Sequence, residues 1–278
     1  MSKQSTAIER FQALHEAGCF VLPNPWDAGS AIYLEHVGFE ALATTSAGFA
    51  FSKGLPDGPE FVSRDLMLEH FREIVAATSL PVNADFQNGY ADVPEDVAAN
   101  VRLCVATGVA GLSIEDNSGR SDQPLYDFDL AIERIRAARR AIDESGTAVV
   151  LTARCEAYLV GDADPLRTSL DRLVAFAEAG ADCLYAPGPG SLDEISQIVK
   201  AVASKPVNVL LSTNNCELTV SQLADVGVRR ISVGGALARA AWGGFVQAAK
   251  EIKEQGSFTA FAAAIPFAEL MDLFVRKR

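Results

Sequence analysis

The chain is short of positive charge. Its 24 lysines and arginines face 36 aspartates and glutamates, leaving a net charge of −12. This argues against nucleic acid or an anionic membrane as a partner, because both are held through clustered Lys and Arg. An anionic ligand must be gripped by local groups working against the overall field. Long apolar runs are also missing. None approaches the roughly 20 residues of a membrane span, and the opening Met-Ser-Lys-Gln-Ser-Thr lacks the apolar core of a secretory signal. The expected location is the cytoplasm. The cysteines (Cys19, Cys104, Cys155, Cys183, Cys216) are odd in number and show no Cys-x-x-Cys spacing, which fits reduced thiols. Only three histidines occur. His15, His36 and His70 all fall in helical stretches, so they read as surface or helix-packing residues rather than acid–base catalysts.

What is present is an ordinary globular composition, 49% hydrophobic and 22% charged, over 278 residues. Length alone would allow two domains, but α/β barrels of about 250 residues form one. Apolar or β-branched runs recur eight times: Cys19–Pro23, Ala41–Ser46, Val82–Phe86, Leu112–Glu115, Ala148–Ala153, Cys183–Ala186, Val207–Leu211 and Arg230–Val233. Amphipathic stretches of helical period separate them, among them Phe128–Glu144 and Leu166–Ala179. Gly108, Gly146, Gly180 and Gly227 each follow a helical stretch and precede a strand, where a left-handed cap belongs. The pattern predicts a closed (β/α)8 TIM barrel as one domain over residues 1–278. A doubly wound open sheet is the alternative, but Asn24-Pro-Trp-Asp27 is nothing like the Gly-rich phosphate loop expected after its first strand. Residues 256–278 form an apolar C-terminal helical extension, read either as packing across the barrel bottom or as an oligomer contact.

In such a barrel, chemistry sits where the strands end. Two runs stop abruptly in carboxylates: Asn83-Ala-Asp-Phe-Gln-Asn-Gly-Tyr90 and Ser113-Ile-Glu-Asp116. Asp85 and Glu115 are hard oxygen donors that suit Mg²⁺ or Mn²⁺ better than zinc. The other strand ends supply Trp26 and Asp27, then Ser46, Ala47 and Gly48, then Gln87, and then Arg154 with Glu156. Pro187-Gly188 and Ser212-Thr213-Asn214 complete the ring. Acids with one arginine form a kit in which a cation polarises a substrate oxygen and the arginine grips a carboxylate. Ser46-Ala47-Gly48 would let backbone N–H groups approach a second anionic group.

Blander roles compete at several positions. Asp27 and Asp116 are favoured as helix caps or loop anchors. Alternation turns Cys155 into the barrel wall. Trp26 is either core or pocket wall. Arg154 could pair only with Glu115 or Glu156, but a buried pair without a ligand is costly, so ligand binding is favoured.

Several separated motifs resemble those of the isocitrate lyase/phosphoenolpyruvate mutase superfamily over residues 8–250. They are Asn24-Pro-Trp-Asp-Ala-Gly-Ser-Ala31, Thr45-Ser-Ala-Gly48, Leu55-Pro-Asp-Gly58, Asp85-Phe-Gln-Asn-Gly-Tyr90, Gly111-Leu-Ser-Ile-Glu-Asp116 and Ala153-Arg154. The resemblance implies a barrel with its eighth helix swapped between subunits, usually in a tetramer. It also implies Mg²⁺-dependent cleavage or rearrangement of a C–C or C–P bond beside a 2-oxo carboxylate, by way of an enolate. Carried over, Asp85 binds the metal directly, with Asp57, Gln87 and Glu115 around its waters. Arg154 holds the substrate carboxylate, Ser46, Ala47 and Gly48 contact the oxo-acid oxygens, and Trp26 lines the pocket.

Two departures matter. Gln87 replaces the second acid of the family's Asp-x-Asp motif, which removes a charge from the metal site. The loop after strand four, Asp116-Asn-Ser-Gly-Arg-Ser-Asp-Gln-Pro-Leu-Tyr126, has no Cys, His or Lys. It therefore lacks the lyases' Lys-(Lys/Arg)-Cys-Gly-His lid, and the mutase lid is not matched either. The reading is a Mg²⁺-dependent lyase or mutase acting on a small 2-oxo carboxylate, with oxaloacetate decarboxylation demanding least of the lid. Phosphoenolpyruvate/phosphonopyruvate mutase or hydrolase chemistry, methylisocitrate-type cleavage and a non-catalytic oxo-acid binder are the alternatives. A homo-oligomer, dimer or tetramer, is expected.

Overall fold

A computed structural model describes residues 2–203, 205–213 and 215–275. Eight parallel strands form one sheet: β1 (Phe20–Leu22), β2 (Leu42–Ala43), β3 (Val82–Asp85), β4 (Gly111–Glu115), β5 (Val150–Arg154), β6 (Cys183–Tyr185), β7 (Val207–Leu210) and β8 (Arg230–Ser232). Their order is β1-β8-β7-β6-β5-β4-β3-β2. The remaining seam, between β1 and β2, is closed past the strand ends. Ala43 N donates to Pro23 O at 3.0 Å, and Asn24 Nδ2 donates to Thr44 O at 2.8 Å. The result is a (β/α)8 barrel.

The first five helices are α1 (Lys3–Glu16), α2 (Ala28–Val37), α3 (Ser46–Ser52), α4 (Arg64–Ala77) and α5 (Pro94–Val105). Then come α6 (Phe128–Glu144), α7 (Pro165–Glu178), α8 (Leu192–Ala201), α9 (Val220–Asp225), α10 (Ala236–Gln255) and α11 (Phe267–Val275). Local chemistry sets their starts. Asp27 and Ser30 make a capping box on α2, and Ser191 and Glu194 make one on α8. In α6 the buried positions Ala131, Ile135, Ala138 and Ile142 recur at helical spacing and face the sheet. The cap glycines predicted from sequence hold positive φ; Gly180, at 103°, also carries Arg139 packed where a side chain would stand.

The second strand is shorter than the apolar run suggested. Thr45 caps a new helix by accepting from Gly48 N, so Ser46 opens α3 instead of ending β2. Inside the barrel, Asn83, Ser113, Asn208, Arg230 and Ser232 line a small cavity of about 40 Å³. Arg230 is buried there, donating to Asn208 Oδ1 at 2.9 Å and Thr152 Oγ1 at 3.0 Å. Their strand neighbours Ile231 and Val209 are buried in the hydrophobic core.

The bottom of the barrel is closed by α1. Phe11 is fully buried beside Gly111, and His15 sits 3.3 Å from Arg230 Nη1. The C-terminal extension lies elsewhere. Phe274 of α11 rests near Gly29 of α2, and the short 3₁₀ helix Thr259–Ala263 packs on α10; residues 276–278 lie outside the described ones. The eighth barrel helix, α10, buries only Ala238 and leaves Trp242, Phe245 and Val246 exposed.

Candidate active site

Three strands deliver charged side chains to one end of the barrel. β3 stops at Asp85, β4 at Glu115 and β5 at Arg154, and the β4–β5 register places Glu115 opposite Arg154. Arg154 Nη1 lies 3.3 Å from Glu115 Oε2 and 3.5 Å from Asp85 Oδ1. On its other side, Arg154 Nε donates to Glu156 Oε1. One guanidinium thus faces three carboxylates. Burial pushes the Glu115 carboxyl well above the usual range; Arg154 opposes that shift while Glu156 and Asp85 add to it. Burial likewise raises Glu156, with Arg154 again opposing. Arg154 itself is held firmly protonated by its acidic neighbours, against the effect of burial.

The β3–α5 loop is strained. Gln87 and Tyr90 hold φ of 46° and 56°, a left-handed region that non-glycine residues seldom adopt. Such positions typically cost on the order of 1–3 kcal/mol and persist where surroundings enforce them. Here Gln87 O accepts from Glu115 N at 2.9 Å, Asn88 Oδ1 accepts from Tyr90 N at 3.0 Å, and the buried Arg134 guanidinium donates to Asn88 O. The Gln87 side chain donates to Asp57 Oδ1 at 3.4 Å, leaving its Oε1 buried and without a partner. Ser46 N donates to Asp85 Oδ2 at 3.0 Å. Burial raises the Asp57 carboxyl and nearby Asp85 raises it further, with Ser46 opposing.

Asp57, Gln87, Glu115, Arg154 and Ser46 line a cavity of about 280 Å³, together with Glu60, Asn88, Asn117, Glu156 and Leu159. Asp85 lies just beneath it, on the small cavity inside the barrel. All donors here are oxygens, and the orphaned Gln87 Oε1 is an acceptor waiting for a proton or a cation. The set fits Mg²⁺ or Mn²⁺. Among the described residues, no three His, Cys, Asp or Glu side chains converge tightly enough to enclose an ion.

The loop after β4 is a compact hairpin. Asn117 and Leu125 form an antiparallel bridge, and Ser118 N donates to Pro124 O at 2.8 Å. Its two ends are locked. Asp116 accepts from Arg172 Nη1 at 3.0 Å and Glu156 N at 2.8 Å; Tyr126, fully buried under the Arg134 guanidinium, donates to Asp92. Asp116 is therefore a loop anchor. Burial and the Asp92 bond hold the Tyr126 phenol up at about 12.

Other candidates lie apart. Trp26 lines a separate cleft of about 300 Å³ with Ser52, Ala238, Ala241, Trp242 and Phe245. Ala47 packs toward Gly235, and Gly48 is wedged against Thr45, Trp26 and Ala238. Asp27 caps α2. Cys155 is buried, its thiol pushed up by burial and by nearby Asp116. Asn214 lies outside the described residues; its neighbour Ser212 donates its backbone N–H to Asn215 Oδ1. Sequence reasoning left Glu60 and Asn88 unassigned. Glu156 was visible two residues after Arg154, but nothing in the sequence fixes which nitrogen of the arginine it meets.

Residues 11–253 match the model of the phosphoenolpyruvate phosphomutase family. The crystal structure of a candidate lyase/mutase from Burkholderia cenocepacia J2315 is 49% identical, covers 99% of this chain and 98% of its own, and superposes with a TM-score of 0.95. An uncharacterized protein of Mycobacterium tuberculosis is 30% identical over 95% of this chain and 96% of its own. An oxaloacetate acetylhydrolase, solved in complex with its product oxalate, is 25% identical, covers 97% of this chain and 94% of its own, and has a TM-score of 0.85.

Proposed function

Because the chain belongs to the phosphoenolpyruvate mutase/isocitrate lyase superfamily, we propose that it is a Mg²⁺-dependent lyase acting on a small 2-oxo carboxylate, with oxaloacetate decarboxylation as the favoured reaction. Superfamily members are lyases and mutases that generally use Mg²⁺ on such acids. The observation that carries the finer reading is the charge of the cavity. Among the described residues, Arg154 is the one basic side chain lining it, against Asp57, Glu60, Glu115 and Glu156.

In this reading Asp85 would hold the cation directly, with Asp57, Gln87 and Glu115 around its waters. The bound cation supplies Lewis-acid polarisation of the 2-oxo group. Arg154 binds the carboxylate next to that group. A second carboxylate, at C4 of oxaloacetate, then meets acids and no counter-charge. It is expelled most readily as neutral CO₂: the C3–C4 bond breaks, and its electron pair moves into C3 and the 2-oxo oxygen. The resulting pyruvate enolate takes its proton at C3 from solvent. No positioned lid acid is required, which suits a hairpin whose Asp116 and Tyr126 are structurally committed.

The exposed apolar face of α10 supports a homo-oligomer in which this helix covers a neighbouring barrel. One further reading has its own support. A non-catalytic oxo-acid binder would tolerate both Gln87 and the acid-free lid. Titration calorimetry of oxalate, an enolate mimic, with and without Mg²⁺ tests the site, and pyruvate release from oxaloacetate tests the reaction. Tight Mg²⁺-dependent oxalate binding with no turnover across a 2-oxo acid panel would replace the lyase with the binder. No oxalate binding would end both readings.

A further inference from the structure

Arg154 uses very little of its hydrogen-bonding capacity. Only 17% of its side chain is exposed, yet its one hydrogen bond among the described residues runs from Nε to Glu156. Nη1 is 3.3 and 3.5 Å from Glu115 and Asp85 and makes ion pairs without hydrogen bonds, and among the described residues no hydrogen bond uses Nη2. A guanidinium grips a carboxylate bidentately along one of two edges, Nε with an Nη or the two Nη atoms together. Glu156 occupies the first edge. The second has no hydrogen-bond partner among the described residues and borders the cavity, where a ligand can reach it.

We propose that Glu156 is a positioning residue, which blocks the Nε edge of Arg154 and so presents the Nη1/Nη2 edge to the ligand's carboxylate beside Asp85 and Glu115. This rests on the reading of Arg154 as the carboxylate binder. It adds which edge binds: the Nη1/Nη2 edge, because Nη1 already neighbours Asp85 and Glu115, the residues assigned to the cation and its waters. Glu156 is well placed for the task. It is 2% exposed, and its backbone N–H is held by Asp116 Oδ1 at 2.8 Å, which fixes the stretch of chain from which its carboxylate reaches Arg154. The anchored hairpin, Asp116, Glu156 and Arg154 thereby form one chain of contacts from α7, through Arg172, to the ligand edge.

The test is calorimetric titration of oxalate into the full-length, Mg²⁺-saturated protein, for the native chain and for Glu156→Ala, Glu156→Gln, Glu156→Asp and Arg154→Lys. Glu156→Ala frees the guanidinium and should weaken oxalate by tenfold or more, with Mg²⁺ affinity unchanged within about twofold. Glu156→Gln keeps an acceptor oxygen in the same place and should restore binding to within about threefold. Glu156→Asp, with a shorter reach, should fall between them and serves if Glu156→Ala does not fold. A purely electrostatic role predicts the opposite sign, since Glu156→Ala and Glu156→Gln both remove a negative charge and would tighten an anion. Tighter or unchanged oxalate binding in Glu156→Ala, or a Glu156→Gln variant as weak as Glu156→Ala, overturns the proposal. Should Arg154→Lys leave oxalate binding intact, the underlying reading of Arg154 fails instead.

Discussion

Glu115 and Arg154 end neighbouring strands directly opposite one another, and their charged groups lie 3.3 Å apart with Asp85 at a similar distance. The arrangement follows from strand register and not from a flexible loop. A buried pair of this kind is seldom a net source of stability, because desolvation offsets the attraction. Three carboxylates crowd one guanidinium, and burial pushes Glu115 and Glu156 toward their neutral forms, so the arrangement is electrostatically unfavourable as it stands. A cation and an anionic ligand bound together would complete it.

Replacing Asp85 by Ala should abolish Mg²⁺-dependent oxalate binding while circular dichroism stays native. The same substitution removes the acceptor for Ser46 N, so a small loss of thermal stability should accompany it. Gln87→Asp should tighten Mg²⁺, because it adds a negative charge within a few ångströms of the proposed metal position, where the neutral amide of Gln87 now leaves an oxygen unpartnered. Calorimetric titration of Mg²⁺ checks both. Metal affinity unchanged in the two variants would remove these residues from the metal site.

Arg154→Lys keeps the charge and loses the planar fork. Oxalate affinity should drop about tenfold or more, in line with roughly 1.5–3 kcal/mol for a charge-assisted bond. A variant that unfolds, as judged by its melting transition, would mark the arginine as structural.

Methylisocitrate and isocitrate should be cleaved slowly or not at all at saturating Mg²⁺. Their departing enediolates need a positioned acid, a contribution of typically 10²–10⁴-fold. In residues 116–126 the ionisable groups are Asp116, Arg120, Asp122 and Tyr126. Asp116 is held by Arg172, and Tyr126 is buried with its phenol raised to about 12. Turnover should appear on oxaloacetate or phosphonopyruvate-like substrates instead. Glyoxylate and pyruvate release from each substrate decides it, and brisk methylisocitrate cleavage would reveal an acid supplied from elsewhere.

His70 should make the fold sensitive to acid. It stacks on Phe49 at 4.0 Å with neither ring nitrogen hydrogen-bonded, and burial lowers it to about 4 from 6.5. The unfolded chain therefore binds a proton that the folded one refuses between those values. Stability is full above pH 6.5 and is lost as pH falls toward 4, by roughly 2–3 kcal/mol. His15, lowered to about 3 by burial and by Arg230, acts in the same direction. Urea melts of His70→Phe at pH 7 and pH 4.5 should show a smaller acid loss than the native chain. An equal loss in both would clear His70 of the effect.

The barrel was legible because its periodicity is strong. All eight apolar runs became strands, and Phe128–Glu144 forms a helix with those same ends. The failures are local. Thr45 took the chain into α3 through a side-chain cap, a competition that an apolar run does not reveal. Trp26 lines a cleft beside α10, a neighbourhood set by a helix far along the chain that its own flanking sequence does not name. The left-handed backbone at Gln87 carries no glycine signal; it is held by the Glu115 N–H on Gln87 O and by Arg134 on Asn88 O, two donors distant in sequence. Strand ends announced the acids and the arginine, but which nitrogen meets which oxygen depends on register between strands.

The inside of this barrel is its polar side. Arg230, Asn208, Thr152 and Ser232 satisfy one another there, while Ile231 and Val209 turn outward into the apolar layer beneath the helices. A one-residue slip of β8 would exchange the two populations, driving a guanidinium among aliphatic side chains with none of its partners. Misalignment is thus punished as well as correct alignment rewarded. That gives the eight short strands a common phase and keeps Asp85, Glu115 and Arg154 level with one another at the mouth.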